Sequence, residues 1–250
     1  MSPIFAGLEI LNPSQPLDRL VPALLVTAVF GVLGYVSRGV TASGAVAGAV
    51  AALLIYVSLG LGGFVTLFGV FAATWLSTRI GYTRKRQLGI AEDKHGRNAK
   101  QVLANVGAAA GYAVLTVKFG PAFAVAAVAS LAEATADTVS SELGEVLSAK
   151  PRLITSFNQV EPGTNGAISL PGTGAALVSA LVIALIGAMV GLYTPSVAWL
   201  AAAAGFLGTI VDSLLGATLE RSGTLKNNGV NSISTIFAGV IALVLYFVGA

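Results

Sequence analysis

The chain contains no cysteine, so disulfides, thiolate metal sites and cysteine nucleophiles are excluded. A single histidine, His95, leaves no material for a His-rich metal site. Charge is scarce as well: 10% of the 250 residues are Asp, Glu, Lys or Arg, against 55% that are hydrophobic. Ordinary globular domains are about one quarter charged, and so few charges could not cover a water-exposed surface. What the sequence does have is long apolar runs, 30 glycines and abundant alanine, the small residues through which membrane helices pack closely. Composition therefore points to an all-α integral membrane protein.

A membrane span takes about 20 apolar residues. Eight stretches meet that measure, at about 20–37, 43–60, 62–80, 99–117, 121–143, 173–192, 196–219 and 232–249, in one polytopic domain over residues 1–250. Only Gly60-Leu61-Gly62-Gly63 separates the second from the third, and it reads as a tight turn. Little basic charge and no small-residue cleavage site precede Leu20, so the first span is expected to be retained rather than removed as a signal peptide.

Eight spans put both termini on one side. The 14 basic residues divide unevenly. Arg38, Arg79, Arg84, Lys85, Arg86, Lys94, Arg97, Lys100, Lys150, Arg152, Arg221 and Lys226 fall on one side, and only Arg19 and Lys118 on the other. By the positive-inside tendency the basic side is cytoplasmic and both termini lie outside. The long loops (about 81–98, 145–172 and 220–231) share the basic side. One working face is expected, at the plasma (inner) membrane of a prokaryote. Glycines four apart (Gly44/Gly48, Gly107/Gly111, Gly187/Gly191) suit either a homodimer face or close packing within the bundle.

Intramembrane acids carry the most information. Glu133, Asp137 and Glu142 fall in the fifth span and Asp212 in the seventh. A charge at a helix centre costs about 2.5–3.5 kcal/mol on insertion scales, so such residues line sites or cavities. Glu133 and Asp137 are four apart and share a helix face; Thr209, Asp212, Gly216 and Glu220 do the same. Asp137 and Asp212 are expected at similar depth, near the inner end. Two level carboxylates opening toward polar loops could hold Mg2+, which takes a few carboxylates, waters and substrate phosphates. Structural pairing with Lys or Arg is the alternative, above all for Glu142 and Glu220.

Around them lie groups suited to anions. Arg97, Asn98, Gln101 and Asn105 fall near one stripe of the fourth span, where basic and amide side chains suit phosphate. Arg84-Lys85-Arg86 reads as a topology signal or a contact with anionic lipid heads. Pro162-Gly163-Thr164-Asn165-Gly166 could nest an anion, but lacks the Lys-Ser/Thr ending of a Walker loop. Pro171-Gly172-Thr173-Gly174 follows it, and Lys226-Asn227-Asn228-Gly229-Val230-Asn231 gathers amides in the last link. The pattern suits transfer between a water-soluble nucleotide and a lipid whose tail stays in the bilayer.

At these motifs the chain resembles an integral-membrane family that includes phytyl-phosphate (prenyl-phosphate) kinase and transmembrane protein 19, with bacterial and archaeal members. The matching texts are Gly96–Asn105, Ala136–Gly144, Pro151–Ser169, Gly208–Gly216 and Lys226–Thr235. A more distant likeness is to the CTP-dependent phytol and dolichol kinases and CDP-diacylglycerol synthase. The resemblance implies a Mg2+-dependent kinase that converts a prenyl monophosphate to the diphosphate, with CTP or another NTP as donor. It implies metal ligation by Asp137 and Asp212, joined by Glu133, with Glu142 in support and Arg97 and Lys100 on phosphates. Lys94, Asn98, Gln101, Asn105, Thr138, Ser141, Gly163, Thr164, Asn165, Gly166, Ser213, Lys226, Asn227, Asn228 and Asn231 would complete substrate and nucleotide binding. One departure is Val139-Ser140, where the family motif commonly has Trp-Ala. Membrane lipids are expected partners and nucleic acid is not. Two other readings stand beside it: cytidylyl transfer to a lipid phosphate, and secondary transport through an acidic relay.

Overall fold

The computed structural model describes residues 17–91, 96–148 and 150–249. Eight α-helices make up most of it: α1 Leu20–Val36, α2 Ala42–Arg79, α3 Tyr82–Gln87, α4 Ala99–Phe119, α5 Pro121–Leu147, α6 Leu170–Met189, α7 Ala198–Leu215 and α8 Asn227–Val248. Among the described residues seven helices, all but the short α3, are long and apolar enough to cross a membrane.

The 38 residues of α2 would make a straight rod about 57 Å long, nearly twice the ~30 Å hydrocarbon core. The rod is broken at Gly60, whose φ of 71° and ψ of −166° lie outside any helix. A left-handed φ is one that glycine adopts without steric cost. The two legs then double back on each other. Near the start of α1, Arg19 donates to the Val57 and Ser58 carbonyls, at 3.4 and 3.3 Å. At the other end of α1, Arg79 donates to Ser37 O at 3.0 Å. Tyr56 and Phe64 rings meet at 5.8 Å across the bend. The eight expected spans thus correspond to seven helices, one of which is two legs broken at Gly60.

Helix starts follow local chemistry. The Thr41 side chain accepts from Gly44 N at 3.2 Å at the head of α2. Asn98 and Gln101 form a reciprocal capping box on α4. Pro121 opens α5, where its missing N–H costs nothing. Two starts come earlier than expected. The Pro171-Gly172-Thr173-Gly174 stretch belongs to α6, capped by Ser169 accepting from Gly172 N at 3.2 Å. Asn227–Asn231 is the first turn of α8 rather than a link.

Helix α5 is the axis of the bundle, buried along nearly all its length and packed on α2, α4, α6, α7 and α8. Alanine at most of its outer positions lets neighbours close in. The corners 37–41, 80–91 and 96–98, the segment 150–169 and the turn after α7 gather at one end. Arg97 bridges the backbone at Val40, Gly163 lies against Ile90, and Gly166 lies against Ala217. Among the described residues the basic side chains other than Arg19 and Lys118 collect on this face.

Basic α3 is not the plain surface run expected of Arg84-Lys85-Arg86. Lys85 is buried, donates to Thr78 O at 2.9 Å and Ser77 O at 3.4 Å, and forms an ion pair with Glu142. It fastens the end of α2 to α5 while capping α2's final carbonyls.

Candidate functional site

Four segments build the site. The inner halves of α5 and α7 bring acids from two helices to one level. The Asp137 and Asp212 carboxyl groups come within hydrogen-bonding reach of each other. Two carboxyls in that position need a proton or a cation between them, because like charges so close repel. Ser234 of α8 donates to Asp212 Oδ2 at 3.1 Å. One turn deeper, Glu133 is 1% exposed, and its Oε1 has no hydrogen-bond partner among the described residues. Glycines of α7 make room for it: a Cβ at Gly208 would stand 2.6 Å from Glu133 Cγ.

Past Leu215 the chain of α7 widens into a π-helical turn, Gly216–Glu220, closed by Arg221 N donating to Gly216 O at 3.2 Å. Such turns are rare and frequent at functional sites. Here the turn receives the Gly-rich loop. Residues 151–169 fold as a strand pair, β1 (Arg152–Leu153) antiparallel to β2 (Ala167–Ile168). Gly166 holds φ +74°, and a Cβ on it would lie 2.3 Å from Ala217 N. Gly166→Ala is expected to cost about 1–3 kcal/mol through backbone strain alone. A lower melting temperature and faster proteolysis within 154–166 would register it.

Between these parts lies a cavity of about 510 Å3, inside the range of about 300–1,000 Å3 usual for small-molecule sites. Asp137 and Asp212 reach it from α5 and α7, Ser140 and Ser141 from α5, Ser213 and Thr209 from α7. Gly163, Thr164, Asn165 and Gly166 cover it, and Asn227 closes the α8 side. Its polar lining is thus hydroxyls, amides and backbone N–H groups over the Asp137–Asp212 pair, with Glu145 and Glu220 also on the wall beside apolar Phe157, Phe206 and Ile210.

The model of the integral membrane protein family DUF92 matches residues 25–239. The chain belongs to the DUF92 family.

This DUF92 chain is 34% identical over 233 residues to a membrane protein of Methanocaldococcus jannaschii, covering 93% of this chain and 96% of that one. It is 32% identical over 197 residues to a membrane protein of Synechocystis, covering 76% of each. It is 30% identical over 216 residues to protein VTE6, chloroplastic, of Arabidopsis thaliana, covering 83% of this chain and 65% of that protein. No solved structure matches it.

Within the DUF92 fold the residues expected in the site separate into groups. Asp137, Asp212, Ser141, Ser213, Asn227 and Gly163–Gly166 line one cavity. Glu133 lies beneath it. Among the described residues no three acidic side chains are spaced to enclose a metal ion. A two-carboxylate floor open to phosphate oxygens and water is nonetheless how Mg2+ is commonly held. Glu142 is ion-paired with Lys85, and Thr138 is buried. Asn98 and Gln101 cap α4, and Lys100 is exposed beside them. Arg97 and Asn105 face a neighbouring cavity. Asn231 donates to Asn105 Oδ1 at 3.5 Å, and its own Oδ1 has no partner among the described residues. Lys226 and Asn228 lie at the start of α8, outside the cavity lining. Lys94 falls outside the described residues, as does His95.

Ser140, Thr173 and Ser234 were not singled out for the site, yet the first two line the cavity and the third hydrogen-bonds its acids. The Ile-Ser-Thr text ending the last motif was the available signal for Ser234.

Proposed function

We propose that the protein is a Mg2+-dependent kinase that phosphorylates a prenyl (phytyl-like) monophosphate to the diphosphate, with CTP the expected donor. The observation that carries this reading is the Asp137–Asp212 pair, the floor of a 510 Å3 polar cavity under a Gly-rich loop. Family membership and the motif resemblance supply the substrate class.

The residues divide the work as follows. Asp137 and Asp212 would hold Mg2+, with Glu133 Oε1 beneath as an acceptor for a coordinated water. Held there, Mg2+ would supply positive charge to offset the negative charge that builds up in phosphoryl transfer. Gly163, Asn165 and Gly166 would offer backbone N–H groups to the phosphates, Thr164 N being bonded to Glu161 O, and Ser141 and Ser213 would offer hydroxyl donors. An oxygen of the acceptor phosphate forms the new bond to the donor's γ-phosphorus as the β–γ bridging bond breaks, releasing NDP. A phosphate monoester is already an anionic nucleophile, so no general base is required. That suits a chain without cysteine and with one histidine.

The polar path favours transfer over transport. Toward the end of the bundle away from the loops, α5 beyond Glu133 presents mostly alanine and valine in close packing, and Ser130 is bonded to Thr235 O at 2.8 Å.

The purified protein in detergent, given labelled NTP, Mg2+ and geranylgeranyl or phytyl monophosphate, is expected to yield the prenyl diphosphate and NDP. Release of pyrophosphate would assign cytidylyl transfer instead, and no diphosphate with any NTP would sink the kinase.

The working face is assigned to the cytoplasm of a prokaryotic plasma membrane, on the twelve-to-two division of the 14 basic residues. With no native cysteine, single substitutions report topology cleanly. Exposed Ser222→Cys, on the basic face, is expected to resist an impermeant maleimide in whole cells, and exposed Ser196→Cys, at the opposite end, to react. The reverse pattern would invert the assignment.

A further inference from the structure

Beside the polar cavity lies a second one of about 130 Å3, between α1, the two legs of α2 and the start of α4. Phe30, Gly31, Gly34, Gly48, Leu67 and Val70 are among its walls, and it is mainly apolar. Its basic lining residues are Arg38, Arg79 and Arg97, and no acidic residue lines it.

Side-chain contacts hold Arg79, and backbone contacts hold the chain at Arg38 and Arg97. The Arg79 guanidinium stacks 3.5 Å from the Trp75 ring centroid while donating to Ser37 O. Arg97 N donates to Gly39 O at 3.1 Å, and its carbonyl accepts from Thr41 N at 3.0 Å. Gly44 permits that approach, since a Cβ there would fall 2.1 Å from Arg97 O. Arg38 sits at φ +56°, a conformation uncommon outside glycine. It persists because Gly39 N and Val40 N both donate to Gly34 O, at 3.0 and 3.3 Å. An apolar slot lined by three arginines, one with its guanidinium fixed and two on a held backbone, and by no acid complements one chemistry, a phosphate head on a hydrocarbon tail.

The slot is also in the right place. Ala134 of α5 lines it, less than one turn from Asp137, and Arg97 interacts electrostatically with Asp137. Asp137 lines the polar cavity as well, so it stands between the two.

We propose that this slot is the acceptor subsite. Arg38, Arg79 and Arg97 bind the phosphate of a prenyl monophosphate, and the slot holds its first isoprene unit. The proposal rests on the kinase reading above. A space of about 130 Å3 compares with the ~150 Å3 cavity that takes one benzene ring. It holds about one five-carbon unit, and the remaining chain lies along the membrane. Phytyl and geranylgeranyl monophosphates share the same first unit, so their KM values should agree within about threefold, inside the ~10-fold that one lost methylene contact commonly makes.

Two variants and two measurements test it. Gly48→Leu fills the slot, where a Cβ has ordinary room with its nearest neighbour at 3.8 Å. Arg38→Gln removes an exposed charge without touching the core. Each is expected to raise KM for geranylgeranyl monophosphate at least about tenfold, with KM for the nucleotide unchanged. Native mass spectrometry should show the wild type retaining geranylgeranyl monophosphate and both variants losing it. Retention equal to wild type in both variants overturns the subsite, whatever the activity. Loss of a bilayer phospholipid with KM unchanged also overturns it. If the wild type retains the prenyl phosphate through this slot yet forms no diphosphate, the subsite stands and the kinase reading falls.

Discussion

Asp137→Asn and Asp212→Asn are each expected to lower diphosphate formation by about 10²–10³-fold, the loss typical when a preorganised charge-stabilising group is removed from a site. The two carboxyls face each other across α5 and α7 and share one cavity floor. Asparagine keeps the size and one oxygen but gives up the charge that would hold Mg2+. Stability should move the other way. Two half-buried acids side by side are a standing cost, since each charge raises the energy of the other and each is partly withdrawn from water. Removing one relieves that repulsion, so the melting temperature in detergent should hold or rise. Function-bearing residues often carry such a trade-off. Activity kept in either variant, measured as labelled diphosphate at saturating Mg2+, would remove the pair from the chemistry. Equal losses of activity and melting temperature would mark it as structural.

Lys85→Met or Glu142→Gln should do the reverse. The pair is buried, at 1% and 9% side-chain exposure, and joins α3 to α5. Truncating one partner leaves an uncompensated charge or a bare donor, at about 3–5 kcal/mol. Lys85 also donates to Thr78 and Ser77 carbonyls at the end of α2, so its loss uncaps that helix. Glu142→Gln still offers an amide oxygen to Lys85 and should be the milder change. Replacing both partners with apolar residues should recover part of the stability, because no orphaned charge remains. The measurement is the melting temperature of each variant in one detergent. The kcat at low temperature should stay near wild type, since Glu142 does not line the cavity. A tenfold fall in kcat at unchanged stability would return Glu142 to the chemistry.

Much of the bundle could be read from the chain because a bilayer is a severe solvent. It demands about 20 apolar residues per crossing and penalises charge within them. The Gly60 turn was visible for the same reason, since 38 residues are too many for one crossing. Asp137 and Asp212 could be placed level by counting from the ends of their spans, and the structure brings their side chains together. Other assignments could not be made this way. In sequence Lys85 looks like its neighbours Arg84 and Arg86, yet it alone is buried. Asn98 and Gln101 read as phosphate ligands, while each serves the other's backbone at a helix start. Glu142 read as support for a metal, and its partner lies 57 residues back along the chain.

Residue order by itself determined that the chain spans a membrane, where it crosses, which face collects the basic loops and which acids sit too deep to be incidental. Those follow from local composition, because each crossing must satisfy the bilayer on its own. Tertiary structure alone decided which polar residues meet. Arg97 reaches the α1–α2 corner, Ser234 reaches Asp212, and the Gly-rich loop settles on the π-helical turn after α7. It also set a larger cavity with polar groups and an apolar slot on either side of Asp137 at the basic end of the bundle. Such meetings depend on how helices far apart in sequence pack around α5, and helix–helix packing leaves no short-range pattern that marks which side chain will face which.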